Sequence, residues 1–146
     1  RHTAGQHGLT RFIGICLLTG YVWLGAGAVA GLGGGFSPAS PVHDTAMHTI
    51  ALGFVFAMVF GHAAIIFPAV LKVKIPYHPF FFVPLALLHL SLALRVFGGL
   101  ADQLALRQWG ALANAATLVV FIATMLGSVI RGSRQAPGRS GRRRAR

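Results

Sequence analysis

The sequence is poorest in acidic side chains. Only Asp44 and Asp102 are acidic among its 146 residues, and charged residues of both signs make up only 10% of the chain. Such a chain offers neither paired carboxylates nor a Ser/His/Asp set, so we expect no hydrolytic catalysis in it. If the protein is an enzyme, a membrane oxidoreductase is the expected class.

Cysteine is almost as scarce, since Cys16 is the only one and lies within an apolar run. An internal disulfide and a CxxC redox motif are therefore excluded. The glycine-rich segment at 31–35 lacks the Gly-Lys-Ser/Thr ending of a phosphate-binding loop, which argues against a nucleotide site.

Apolar residues dominate the chain, at 55% of the total. A helix needs about 20 apolar residues to cross a hydrocarbon core of about 30 Å. Four runs meet this requirement, at about 9–30, 45–73, 80–100 and 109–130. We predict an all-α, polytopic membrane protein whose four transmembrane helices form an antiparallel bundle.

The segments outside the four runs complete the predicted organisation. Residues 1–8 form the N-terminal end, 98–108 is weakly amphipathic and suggests a short interfacial helix, and 132–146 is a basic tail predicted to be disordered. The first residue is Arg1 rather than methionine. We therefore expect the chain to be cut from a longer protein and its bundle to belong to a larger one.

The net charge of +11 would suggest a nucleic-acid partner in a soluble protein, but its distribution favours a topological role. Seven arginines lie between Arg131 and Arg146, directly after the fourth run. Arg1 and Arg11 lie near the first run, and Lys72 and Lys74 lie between the second and third runs. In a four-span protein, all of these residues fall on the same side of the membrane as the seven arginines. Lys and Arg mark the cytoplasmic side, so we predict a bacterial inner-membrane protein with both termini in the cytoplasm.

The expected partners follow from this topology. They are the lipid bilayer, anionic lipid headgroups at the basic tail, and the remaining helices of the same protein or of another membrane subunit. No specific nucleic acid is expected. Small residues within the runs predict close helix packing, notably Gly27, Gly31, Gly110 and Gly127.

Ionisable side chains within a membrane are costly, so His62, His89 and Arg95 indicate a functional site. His62 and His89 are equally far, in opposite directions, from the connection centred near Pro76. An antiparallel hairpin would place them facing each other at one depth. Such a pair suits bis-histidine haem ligation, copper binding or a proton relay, with Arg95 about 9 Å further out and within reach of a haem propionate. Alternatively, the histidines bond to backbone or hydroxyl groups and Arg95 extends to the surface.

A second polar group, His43, Asp44 and His48, lies at the predicted outer end of the second run. It suggests a metal site, or alternatively a helix cap with an interfacial histidine. His48 and His62 are fourteen residues apart, which predicts a shared face but a separation of about 21 Å, too far for one metal.

The run from His48 to Met58, with Gly53 between them, resembles a helix of the NnrS family. Proteins of that family are haem- and copper-containing bacterial membrane proteins linked to nitric oxide and denitrification. The resemblance implies that His48 matches the motif histidine and that the chain covers roughly the final third of such a protein. It favours a haem b and/or copper protein of respiratory or nitrogen-oxide metabolism. The alternative is a structural or proton- or solute-transporting subunit without a cofactor.

Overall fold

Four long helices pack against each other. The computed structural model describes residues 2–40, 42–71 and 78–134. Its helices are α1 (His2–Ala30), α2 (His43–Leu71), α3 (Phe82–Leu100, after a single 3₁₀ turn, Pro79–Phe81) and α4 (Leu104–Arg134). Each includes a stretch long and apolar enough to cross a membrane, and no strand occurs in the described residues. The prediction of an all-α, four-helix membrane fold is confirmed.

The connection between α3 and α4 is shorter than the sequence suggested. Only residues 101–103 separate the two helices, and Asp102 takes the left-handed backbone conformation, with φ of 52°. The Gln103 amide donates to the Gly98 carbonyl at 2.8 Å and closes this turn. The predicted interfacial helix within 98–108 is therefore wrong, because the residues from Leu104 onward already belong to α4. The α2–α3 connection at 72–77 lies outside the described residues, as do residues 135–146 of the predicted tail. The first three residues of that tail, 132–134, belong to α4, so the prediction of disorder is wrong for them.

Glycines bring the helices together. A Cβ placed on Gly27 of α1 would lie 2.7 Å from Ile50 of α2, and one on Gly110 of α4 would lie 2.7 Å from the Arg95 backbone of α3. Neither position has room for a larger residue, so the predicted packing role is confirmed for both glycines. Gly31 begins a short π-helical stretch, Gly31–Gly35, directly after α1, and packs against the ring of Phe36 that follows this stretch.

Gly127 does not fit the predicted packing role. A Cβ built on it would have no heavy atom within 4 Å, and the residue borders a cavity rather than a neighbouring helix. The prediction that Gly127 mediates helix contact is wrong because its face of α4 has no partner helix among the described residues.

The middle of α2 departs from α-helical geometry. Residues Thr49–Phe56 form a π-helical stretch between two α-helical parts. Its wider turns, with hydrogen bonds from i to i+5, change the direction of every later side chain on the helix. Gly53, within the stretch, lies against Trp23 of α1 and Leu92 of α3, so the π stretch connects the two helices flanking it.

The buried core lies toward the end of the bundle at which α1 begins. All four helices contribute to it, with the Phe60 and Phe121 rings stacked at a centroid distance of 3.8 Å between α2 and α4. The outer faces carry exposed apolar side chains such as Leu90 and Val119. Apolar outer faces around a packed interior are the arrangement that a lipid environment requires.

Candidate functional site

His89 is half-buried between α1 and α3, with both ring nitrogens hydrogen-bonded. The Trp23 indole N–H donates to its Nδ1 at 3.0 Å, and its Nε2 is 2.9 Å from the Thr19 hydroxyl. An indole can only donate, so Nδ1 accepts and the ring proton is on Nε2, which donates to Thr19. The Thr19 hydroxyl in turn donates to the Ile15 carbonyl at 2.7 Å. His89 therefore belongs to a closed, neutral network with no free nitrogen for a metal.

His62, unlike His89, is exposed and has only one of its two ring nitrogens hydrogen-bonded. Its Nδ1 lies 2.7 Å from the Met58 carbonyl, one turn earlier on α2, and its side chain is exposed on the surface of the bundle. A carbonyl can only accept, so the ring proton is on Nδ1 and Nε2 carries a lone pair. Nε2 has no hydrogen-bond partner among the described residues. It is thus free to bind a group outside the bundle.

The structure does not bring His62 and His89 together. The Ala57–Leu71 part of α2, which carries His62, packs against α1 and α4, and α3 meets α2 mainly at the π stretch. Gly61, next to His62, lies against Cys16, whereas His89 lies against Thr19 and Trp23 further along α1. The predicted facing pair is therefore wrong, because His62 is exposed on the surface of the bundle whereas the ring of His89 is bonded to Trp23 and Thr19 of α1.

Asp44 at the start of α2 binds Arg95 of α3. The guanidinium donates two hydrogen bonds to the carboxylate, from Nη2 to Oδ1 at 2.8 Å and from Nε to Oδ2 at 3.2 Å. Arg107 of α4 lies 3.9 Å from Oδ2, and His48 Nδ1 lies 3.3 Å from Oδ1. Arg95, predicted to reach a haem propionate, is instead engaged in this ion pair. We call Asp44, Arg95 and Arg107 the charge cluster.

The predicted outer metal site is not assembled in the structure. His43 Nδ1 bonds to the Gly35 carbonyl and His48 Nδ1 to the Asp44 carbonyl, each at 2.8 Å, while the Asp44 carboxylate faces arginines. Within residues 2–40, 42–71 and 78–134, no three His, Cys, Asp or Glu side chains are placed to hold a metal. The alternative, a helix cap with an interfacial histidine, is wrong in its cap: the N-cap of α2 is Val42 and no side chain caps it, because the Asp44 carboxylate is bonded to Arg95.

Sequence analysis missed the polar partners inside the bundle. Thr19 and Trp23, one turn apart on α1, meet His89; their spacing places them on one face of α1 but does not indicate which residue they contact. The Ser91 hydroxyl lies 2.6 Å from Asn114 Oδ1, joining α3 to α4. The buried Asn114 Nδ2 has no partner in the described part of the chain. Hydrogen bonds of this kind stabilise helix pairs in lipid.

The fold and these contacts define an integral membrane four-helix bundle in which His89 is hydrogen-bonded between α1 and α3 and His62 is exposed on the outer face of α2. The chain belongs to the family described as Domain of unknown function (DUF8744), which matches residues 1–130. No curated protein and no solved structure matches the chain. The resemblance to the NnrS family stays a prediction.

Proposed function

We propose that this protein binds haem b, and/or copper, in the membrane through His62, in respiratory or nitrogen-oxide metabolism. The observation that carries the proposal is the free Nε2 of His62 on an exposed face of a membrane-spanning helix. Histidines that bind metals commonly donate their other ring N–H to a carbonyl, which fixes the ring and its tautomer. The Met58 carbonyl serves this purpose for His62.

The surface around His62 suits haem better than copper. Val59, Ile65 and Ile66 lie three or four residues away on α2 and are 43%, 47% and 54% exposed. They offer an apolar face to a porphyrin, and one imidazole suffices as an axial ligand, whereas copper needs several nitrogen or sulfur ligands together. A bound haem would supply electron transfer or gas binding. Its second ligand would come from another chain or from helices outside this sequence.

The alternative is a structural or transporting membrane subunit without a cofactor, and His89 favours it. Both of its nitrogens are hydrogen-bonded within the bundle, which supports a role for this imidazole in the α1–α3 contact. A cofactor-free subunit leaves the Nε2 of His62 without an explanation. A polar atom without a partner in lipid costs free energy.

Membranes from cells expressing the complete protein test the proposal. We expect a haem Soret band in the purified protein and its loss in His62→Ala, because the substitution removes the ligand. Adding imidazole should partly restore the band in that variant. His78→Ala is the matched control, since His78 is exposed outside the membrane-spanning helices and bonds to Phe80, and it should keep the band.

The outcomes separate the two interpretations. A wild-type preparation free of both haem and copper would overturn the proposal and leave the cofactor-free subunit. A Soret band that survives His62→Ala would also contradict it, since the haem would then depend on other ligands.

A further inference from the structure

A cavity of about 470 Å³ lies between the beginning of α3 and the end of α4. It has an apolar part bordered by Phe80, Phe81 and Ala123, and a polar rim bearing His78, Ser128 and Arg131. Gly127 lies between Ala123 and Arg131 along α4, and a Cβ built on it would have no heavy atom within 4 Å. The cavity thus changes from apolar to cationic over its own length.

The rim presents hydrogen-bond donors. The Phe80 backbone N–H donates to His78 Nδ1 at 3.2 Å, so the proton of the neutral ring is on Nε2, which is a donor. Arg131 is exposed and carries a guanidinium suited to two-pronged binding of a phosphate. Both groups favour an anion at the rim.

The chain itself cannot supply that anion from its acidic side chains. Its two acidic residues, Asp44 and Asp102, lie at the opposite end of the bundle, at the start of α2 and in the turn before α4. A second copy in the same orientation would carry its own acidic residues at that same far end. An anion at the rim is therefore not one of the carboxylate side chains of this sequence.

We propose that this cavity binds one anionic phospholipid. Its phosphate lies at Arg131 and His78, and the upper part of one acyl chain lies against Phe80 and Ala123 in the space left by Gly127. A phospholipid has a phosphate next to apolar acyl chains. The cavity likewise has a cationic rim next to an apolar part, so the two match. This site is a defined cavity, distinct from general attraction between the basic tail and the bilayer, and it does not depend on a cofactor.

Native mass spectrometry of the full chain in neutral detergent, with phosphatidylglycerol or phosphatidylcholine added, tests the proposal. We expect one preferred phosphatidylglycerol adduct. Gly127→Leu fills the cavity without changing charge, and Arg131→Gln removes the charge without filling it. Each should weaken phosphatidylglycerol binding about tenfold, since each removes an interaction on which the lipid depends. Arg11→Gln is the control, because Arg11 is exposed on α1 and does not border the cavity, and it should leave binding unchanged.

Three results would overturn the proposal. Equal binding of both lipids would show that the phosphate site has no preference for net negative charge. Binding that survives Gly127→Leu while Arg131→Gln or salt abolishes it would assign the lipid to charge attraction alone. Inorganic phosphate bound in an Arg131-dependent way, without any bound lipid, would identify a site for a free anion. Circular dichroism of each variant confirms that its helices are retained.

Discussion

At the scale of single residues, Asp44 is the acidic side chain through which three helices meet. It begins α2, receives two hydrogen bonds from Arg95 of α3 and lies close to Arg107 of α4. The side chains of Asp44 and Arg95 are 26% and 16% exposed, so the pair is partly shielded from water. A two-pronged pair in such a place contributes more than an exposed surface ion pair.

Asp44→Asn should lower the free energy of unfolding by about 1–2 kcal/mol, because it leaves Arg95 partly buried without its counter-charge. The double variant Asp44→Asn with Arg95→Gln should recover part of this loss, since no unpaired charge then remains. Unfolding in mixed micelles, titrated with a denaturing detergent, measures both values.

Asp102→Asn is the matched control for that substitution. Asp102 is exposed in the turn before α4 and has a positive φ, which asparagine tolerates. Equal destabilisation by Asp44→Asn and Asp102→Asn would show that net charge, rather than the charge cluster, stabilises the bundle.

Sequence reasoning found the ionisable residues at depth but not their partners. His62 and His89 stand out because histidine is costly in lipid, whereas the partners of His89 are a tryptophan and a threonine, which occur in membrane helices for many reasons. Which nitrogen of each ring is free depends on those partners. The difference between a half-buried, hydrogen-bonded His89 and an exposed His62 was therefore not visible in the sequence.

At the scale of helices, hydropathy predicted all four spans, but it could not predict the internal geometry of α2. The π-helical stretch Thr49–Phe56 lies between His48 and His62. Each π turn acts like one added residue and rotates the later part of the helix by about 100°. Spacing rules that assume a continuous α-helix, including the expected shared face of these two histidines, do not hold across it.

Gly53→Ala should destabilise the bundle at this stretch by about 1–3 kcal/mol, because overpacking forces helices apart. A Cβ on Gly53 would lie 2.4 Å from the Trp23 Cβ and 3.0 Å from Leu92. Detergent-titrated unfolding measures the loss, and a changed tryptophan emission spectrum would report displacement of Trp23 from His89.

Gly25→Ala provides the comparison within α1. Nothing lies within 4 Å of a Cβ at Gly25, so alanine should be neutral or slightly stabilising there through its higher helix propensity. If Gly25→Ala and Gly53→Ala destabilised the bundle equally, the close contact at Gly53 would not be the cause of the loss in stability.

At the scale of the whole molecule, the charges are distributed unevenly between the two ends of the bundle. We predict that the arginine-rich end faces the cytoplasm, as the positive-inside rule requires. A reporter that is active only outside the cytoplasm should be silent when fused after residue 146 and active when inserted in the turn at residues 101–103. The reverse pattern would contradict the predicted orientation, and activity at both positions would contradict the paths of α3 and α4.

The helix count and the sequence order of the spans were predictable because they follow from the length of apolar runs. Which helices touch was not predictable from those runs, since all four are apolar on most sides. The close contacts depend on single glycines such as Gly27 and Gly110, and Gly127, which looks equivalent in the sequence, borders a cavity instead.

The position of the charge cluster also bears on how the protein assembles. The chain forms two helical hairpins, α1 with α2 and α3 with α4, which are covalently joined at one end through residues 72–77. Asp44 and Arg95 join the same two hairpins at the other end. Because Asp44 and Arg95 belong to different hairpins, this ion pair forms only when the two hairpins meet. Either hairpin without the other therefore carries a charged side chain that lacks the partner it has in the complete bundle.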